Sequence, residues 1–276
     1  GATELKIDNV IVTEISDVVT PTYASTPVVV STHHNTDATD LQSFAGKENL
    51  LLRSTYTSGH SGTSWNVGTT LSEASSTEAS PTGSQDAFKL LETNQTSEHS
   101  MVDYMQMQPS QTYVFSTYIK SVNDRNVKLY AWQRDSSDSM IDVVHAAFDL
   151  TNGAVITGQT SSNVETSITY EPNNWYRVSM KFTTSANVVT DGSHIGAVRI
   201  NVAQTDGSHS AYAGDTTKGI IQWGAQLNTD SLKTFQATTG TALTGDVNVV
   251  NWYDQAGGED FTQNTAPNQP RIVTGG

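Results

Sequence analysis

The sequence predicts an antiparallel β-sandwich, and three observations carry that prediction. First, seven runs alternate apolar and polar residues at the period of a strand: TYVFSTYIK (112–120), NVKLYAWQR (126–134), MIDVVHAAFDL (140–150), ETSITYEP (165–172), WYRVSMKFT (175–183), GAVRINVAQ (196–204) and KGIIQWGAQLN (218–228). Second, the gaps between them hold turn chemistry, including Asn123-Asp124, Thr151-Asn152-Gly153, Pro172-Asn173-Asn174, Asp191-Gly192 and Asp206-Gly207. Third, hydrophobic residues make up 36% of the 276 and charged residues only 15%. The polar surface therefore falls to Ser, Thr, Asn, Gln and Gly, which suits strands and tight turns better than helices.

Taken in order, the chain opens with an alternating run over residues 3–15. A Thr-, Pro-, Ser- and Asp-rich stretch follows, with one short strand expected at Pro27–Ser31. Residues 1–47 thus read as an extended N-terminal arm, a linker or the end of a preceding β-domain. The main body begins near Asn49 and carries the seven strands; 85–91 is expected to hold a short strand or turn. Trp223 falls on the same alternating face as Ile221, Ala225 and Leu227 and is expected in the core with them. After Leu232 the chain turns to Gly, Asn, Gln, Pro and Thr around one apolar stretch, Val247–Tyr253. That is too little for a core of its own, so 237–276 reads as a C-terminal strap or the start of a further β-domain. The absence of an initial Met leads us to expect an excerpt from a longer protein.

The charge balance narrows the partners. With 28 acidic and 14 basic residues the net charge is -14, and no basic footprint for nucleic acid is visible. Mean hydropathy is -0.39 and no run is long and apolar enough to insert in a membrane as a helix. With no cysteine, disulfides and thiolate nucleophiles are excluded, and the compartment is not fixed.

The stretch VKLYAWQR (127–134) is the most informative for function. At a period of two, Val127, Leu129 and Ala131 point one way, and Lys128, Tyr130, Trp132 and Arg134 the other. The second face joins aromatics, whose flat sides take sugar C–H groups, with cations that fix orientation. Packing, a subunit contact and a glycan contact all fit it. Trp175, Arg177 and Lys181 make a second such face, opposite Tyr176, Val178, Met180 and Phe182; if the two strands share a sheet, one groove results. For Trp175 and Arg177 packing is the leading reading.

Other chemistry finds little support. The seven histidines, His33, His34, His60, His99, His145, His194 and His209, include no pair at helical metal-ligand spacing. The acids Asp138, Asp142, Asp149, Glu165 and Glu171 sit mostly at strand ends or turns, where such side chains cap backbone groups. Neither a nucleophile elbow nor a phosphate-cradling Gly-rich loop is present.

Six stretches in order, ENLLLRSTYTSGHSGTSWNVG (48–68), SPTGSQDAFKL (80–90), TYVFSTYIK, FDLTNG (148–153), NNWYRVSMKF (173–182) and IIQWGAQL (220–227), resemble the carbohydrate-binding-module-like jelly-roll domains of bacteriophage fibre and surface proteins. The resemblance covers about residues 48–236. It implies an all-β, antiparallel jelly-roll β-sandwich, a structural role in a virion appendage facing the exterior, and no catalysis. The partners it implies are copies of the same chain (a trimer among the options), other virion proteins and a host-surface polysaccharide. A dedicated carbohydrate-binding module is the alternative, and a glycosidase or lyase fragment a more distant one. The resemblance also implies that Trp175 and Arg177 lock a strand end. It allows a structural calcium, for which Glu48, Asn49 and Asp86 are the oxygen donors to consider. No other cofactor is implied. VNWYDQAGGEDFTQNTAPNQPRIV is similar to the opening of a concanavalin-like domain, and ELKIDNVIVTEI to the last strand of a related module.

Overall fold

A computed structural model describes residues 48–55, 65–240 and 242, and the backbone of four two-residue strands further on. The chain divides into two compact units, Glu48–Leu243 and a second made of Gly1–Lys47 with Thr244–Gly276. In the second unit Val247–Asn248 pairs with Arg271–Ile272, and Asn251–Trp252 with Phe261–Thr262, both antiparallel. The strands expected at 3–15 and 27–31, the arm itself, and His33, His34 and His60 lie outside the described residues.

The first unit is an antiparallel jelly-roll β-sandwich. Its strands are β1 (Leu71–Ser75), β2 (Phe88–Glu92), β3 (Thr96–Ser97), β4 (Ser100–Met105), β5 (Thr112–Val122), β6 (Asn126–Arg134) and β7 (Met140–Asp149). They continue with β8 (Ala154–Val155), β9 (Glu165–Glu171), β10 (Trp175–Thr183), β11 (Gly196–Ala203), β12 (Tyr212–Ala213) and β13 (Gly219–Thr229). One sheet has six strands in the order β1-β2-β13-β5-β10-β9, the other five in the order β4-β11-β6-β7-β8. The chain crosses between these two sheets from β2 to β4, β4 to β5, β5 to β6, β8 to β9, β10 to β11 and β11 to β13, which wraps it around the core.

Alternation decides which side chains meet between the sheets. Phe115 and Ile119 of β5, Val178 and Met180 of β10 and Leu90 of β2 face Leu129 of β6, Phe148 of β7 and Ile200 of β11. Strand β1 is less visible in the sequence because LSEAS carries two apolar residues in five, and β4 because SMVDYM turns Asp103 inward and Tyr104 outward, against the usual alternation. They are held by pairing with β2 and β11.

The six-stranded sheet buries a second apolar layer on its outer side: Ala87, Tyr118, Trp175, Ile221 and Trp223, with Phe235 packed on it. This corrects the expectation that Trp223 shares a face with Ala225 and Leu227. A β-bulge between Trp223 and Gln226 resets the period, leaving Ile221 and Trp223 outside while Ala225 and Leu227 enter the main core. Gly224 makes the bulge, with φ +61, and a Cβ there would lie 3.0 Å from Tyr118 and 3.1 Å from Phe235. We expect Gly224→Ala to lower unfolding stability by about 2 kcal/mol, from left-handed backbone strain and crowding together. Urea denaturation would show it; an unchanged midpoint would mean the bulge relaxes at no cost.

The chain ends of the unit are clamped side by side. Asn49 donates to Ala225 O (3.1 Å) and Gln236 O (2.9 Å) and accepts from the backbone N–H groups of Leu51 and Leu227. Further on, Ser54 N–H donates to Thr238 O, and Gly240 N–H to Leu52 O. These bonds tie Thr238 and Gly240 back to the segment that opens the unit.

Candidate functional site: the outer face of the five-stranded sheet

The face expected from VKLYAWQR lies on the outer side of the five-stranded sheet, and its neighbours come from other strands. Register sets them in rows. Arg199, Tyr130 and His145 stand abreast across β11, β6 and β7. The next row is Tyr104, Ala197 and Trp132 across β4, β11 and β6. On the far side of the Tyr130 row lie Asn201, Lys128 and Ala147.

The rings lock together. Tyr130 and Trp132 pack at 5.8 Å, and Tyr104 stands edge-on to Trp132 at 6.4 Å and 88°. The Arg199 guanidinium lies 5.2 Å from the Trp132 ring centre and 5.5 Å from that of Tyr130, a cation over two π faces. Its Nη1 donates to Glu98 at 2.5 Å. His145 stacks on Tyr130 at 5.9 Å, and His209 tilts against the same ring at 5.7 Å.

One end of this face is open and the other closed. Tyr104 is 59% exposed while Trp132 is 5% exposed, so Tyr104 offers the accessible ring and Trp132 backs it. Lys128 is buried, and its Nζ donates to Gln159 Oε1 at 3.0 Å. Above it the turns around 156–160 and 204–208 meet: a Cβ on Gly207 would lie 2.9 Å from Ile156 Cδ1 and 3.2 Å from Ala147 Cβ. Burial pushes the Lys128 ammonium below its ordinary pKa. Burial, then the Lys128 charge, pulls both His145 and His209 below the usual imidazole range. Burial raises the Tyr130 phenol against the opposing pull of Arg199.

The remaining candidates lie elsewhere. Arg134 closes the 135–139 turn, donating to Asp138 O at 2.6 Å beside the Asp138 carboxylate at 3.3 Å. Trp175 and Arg177 belong to β10 in the six-stranded sheet, so the two aromatic–cation faces point away from each other and no shared groove forms. Trp175 is fully buried in the outer apolar layer and donates its indole N–H to Ala79 O at 2.8 Å. Arg177 lies over Tyr118 at 5.3 Å and donates to Lys233 O at 2.8 Å.

The calcium candidates are engaged otherwise. Glu48 accepts from Thr229 N–H (2.5 Å) and Lys233 Nζ (3.0 Å), Asn49 makes the clamp above, and Asp86 is exposed on a loop. Among the described residues no three His, Cys, Asp or Glu side chains converge as a metal would require. The acids also serve backbone: Asp149 caps Thr151 and Asn152, and Asp142 accepts from Ser185 N–H at 2.8 Å.

Sequence reasoning did not bring Tyr104, Arg199, Glu98 and His209 to this face. Tyr104 and Arg199 join Tyr130 through cross-strand register, and Glu98 and His209 come from segments between strands. The signal available was the alternation in SMVDYM and GAVRINVA, which puts Tyr104 and Arg199 opposite the core residues.

The class that fold and face define is an antiparallel jelly-roll sandwich with an aromatic–cation patch on one outer face. The chain matches no protein-family model, and no curated protein matches it. Among solved structures it is similar to the CBM22-1 xylan-binding domain of Paenibacillus barcinonensis Xyn10C, at 10% identity and TM-score 0.40, covering 68% of this chain and 97% of that one. It is also similar to the enzymatically active domain of bacteriophage CBA120 tailspike protein 4, at 10% identity and TM-score 0.35, covering 64% of this chain and 21% of that one. A third is a CBM4 structure, at 9% identity and TM-score 0.33, covering 63% and 84%. Among the described residues no helix is long and apolar enough to cross a membrane.

Proposed function

We propose that the chain is a non-catalytic structural module of a virion surface appendage that also attaches weakly to surface glycans. The observation that carries the glycan part is the exposed Tyr104 ring set against Trp132, with Arg199 lying over Trp132 and Tyr130. A sugar ring needs a flat apolar surface beside fixed polar groups, and this corner supplies both. Tyr104 is exposed while Trp132 behind it is buried, so a single copy offers one open ring and binds weakly, and several copies in one appendage bind usefully. The ordered stretches over residues 48–236 support the virion setting, with homo-oligomers and other virion proteins as partners. The Thr- and Ser-rich surface suits wet contacts between copies.

Affinity electrophoresis of the full chain through gels containing a panel of polysaccharides tests the attachment. Retardation by at least one of them is expected, with Tyr104→Ala weakening it about tenfold, or roughly 1.4 kcal/mol. Equal mobility of the two proteins in every gel would sink the glycan reading. Sedimentation of the same sample checks assembly: a monomer at high concentration would remove the self-assembling part.

A further inference from the structure

We propose that the outer face of the five-stranded sheet selects acidic, carboxylate-bearing sugars, with Arg199 on one side of the Tyr130 ring and the His145/His209 pair on the other. This inference rests on the glycan reading of the same face and adds the class of ligand.

Charge and register both point there. The chain carries a net charge of -14, yet Arg199, Lys128, His145 and His209 gather around one tyrosine. Arg199, Tyr130 and His145 are abreast on adjacent strands, about 4.8 Å apart by the geometry of sheets. Arg199 and the histidines take the sides of the Tyr130 ring, so a pyranose seats over the outward edge of this row, with a nitrogen donor within one strand spacing on either side. A carboxylate joined directly to the ring keeps its charge one bond from the pyranose and close to this row, whereas a sulfate ester carries it out on a C–O–S link.

Arg199 has capacity left. Nη1 is taken by Glu98 at 2.5 Å and Asn201 Oδ1 at 3.5 Å, and Nε is buried out of reach, while Nη2 makes no hydrogen bond among the described residues. Glu98 is itself 43% exposed along its side chain, so it holds the place a ligand carboxylate would take. It is the internal competitor, and its removal should help binding.

The histidines add a pH dependence. His145 faces Lys128, Tyr130 and the Ser161 hydroxyl; His209 faces Lys128, Glu98, Arg199 and His145; Asp206 acts on Lys128 from the adjoining turn. Both imidazoles are neutral at pH 7.5, since burial and Lys128 hold them below their ordinary range. Acidification charges them, and a bound carboxylate favours that charged form. Affinity for an acidic sugar therefore rises as pH falls.

The experiment compares the full chain on polygalacturonate, dextran sulfate and neutral xylan at pH 7.5 and 5.5, each in low and moderate salt. The expected result is preference for polygalacturonate, tighter at pH 5.5, weakened about tenfold or more by Arg199→Gln and tightened severalfold by Glu98→Gln. Circular dichroism reports whether Arg199→Gln folds; Glu98→Gln decides the matter if it does not. Equal binding to xylan overturns the acidic selectivity and leaves the glycan reading standing. Equal binding to dextran sulfate, or no gain from Glu98→Gln, reduces the effect to general charge attraction and also overturns it. Binding to none of the three, with none in the wider panel, overturns both.

Discussion

Glu92→Gln is expected to destabilise the sandwich by about 3–5 kcal/mol, the cost of leaving a buried cation without its counter-charge. Glu92 is fully buried at the end of β2 and Arg125 is 9% exposed. Arg125 donates Nε to Glu92 Oε1 at 2.5 Å and Nη2 to Oε2 at 2.9 Å, a two-pronged pair. The same carboxylate accepts from the Tyr212 hydroxyl at 2.6 Å and from Asp215 N–H at 2.8 Å. Tyr212 in turn lies under Arg125 and against His99, whose Nδ1 is 2.6 Å from Thr70 O. One carboxylate thus ties β2, β12 and the loops beside them together. Burial alone would raise the Glu92 pKa, but Arg125, Tyr212 and the Asp215 N–H outweigh it and hold it below the usual carboxylate value. Its contribution is therefore present above the unfolded pKa and is lost as pH falls through the lower folded one. For a unit of this size the substitution should depress Tm by on the order of 10 °C. Scanning calorimetry at pH 7 would measure it, and a drop under 2 °C would mean that Arg125 finds another partner. Replacing Glu92, Arg125 and Tyr212 together with Leu, Met and Phe should cost far less than Glu92→Gln, because no charge is then stranded.

Asp103→Asn works the other way and should stabilise the protein at pH 8. Asp103 is 5% exposed on the edge strand β4, on the same face as the core residue Met101 and paired with Val198. Burial pushes its carboxyl up to about 7 from the model-compound value of 3.8. The folded state then keeps a proton that the unfolded chain has already released. Stability falls as pH rises from about 4 to about 7, by about 1.4 kcal/mol per unit, or on the order of 4 kcal/mol in all. The amide carries no charge to desolvate, so the variant should lack this slope and gain most above pH 7. Urea midpoints of both proteins from pH 4 to 8 test it. Parallel curves would show that Asp103 is solvated when charged, through water or a shift of β4.

The sequence carried the sandwich well where alternation was strong. In β6 and β10 the core faces Val127, Leu129, Ala131 and Val178, Met180, Phe182 follow directly from the period of two. It carried β1 poorly because an edge strand needs only a few apolar residues to be held by its neighbour, and β4 poorly because an inward Asp103 and an outward Tyr104 break the apolar alternation. It misplaced Trp223 because one glycine bulge inverts every later side chain, and periodicity assumes no such step. The candidate face was half legible: its central strand was visible, but Arg199, Tyr104 and His209 join it only through strand order, which no local pattern contains. The same missing order left Trp175 and Tyr130 open to a common groove, when they belong to opposite sides of the molecule.

The clamp at Asn49 has a mechanical consequence. The chain comes into the sandwich and leaves it through segments bonded to each other, Arg53 opposite Thr239 in an antiparallel bridge. A pull along the chain therefore loads those few contacts one after another, as a peel, while the two sheets hang beside the line of force. Under tension this unit yields first at its neck, at low force, and its core, with the aromatic face on its outside, stays whole.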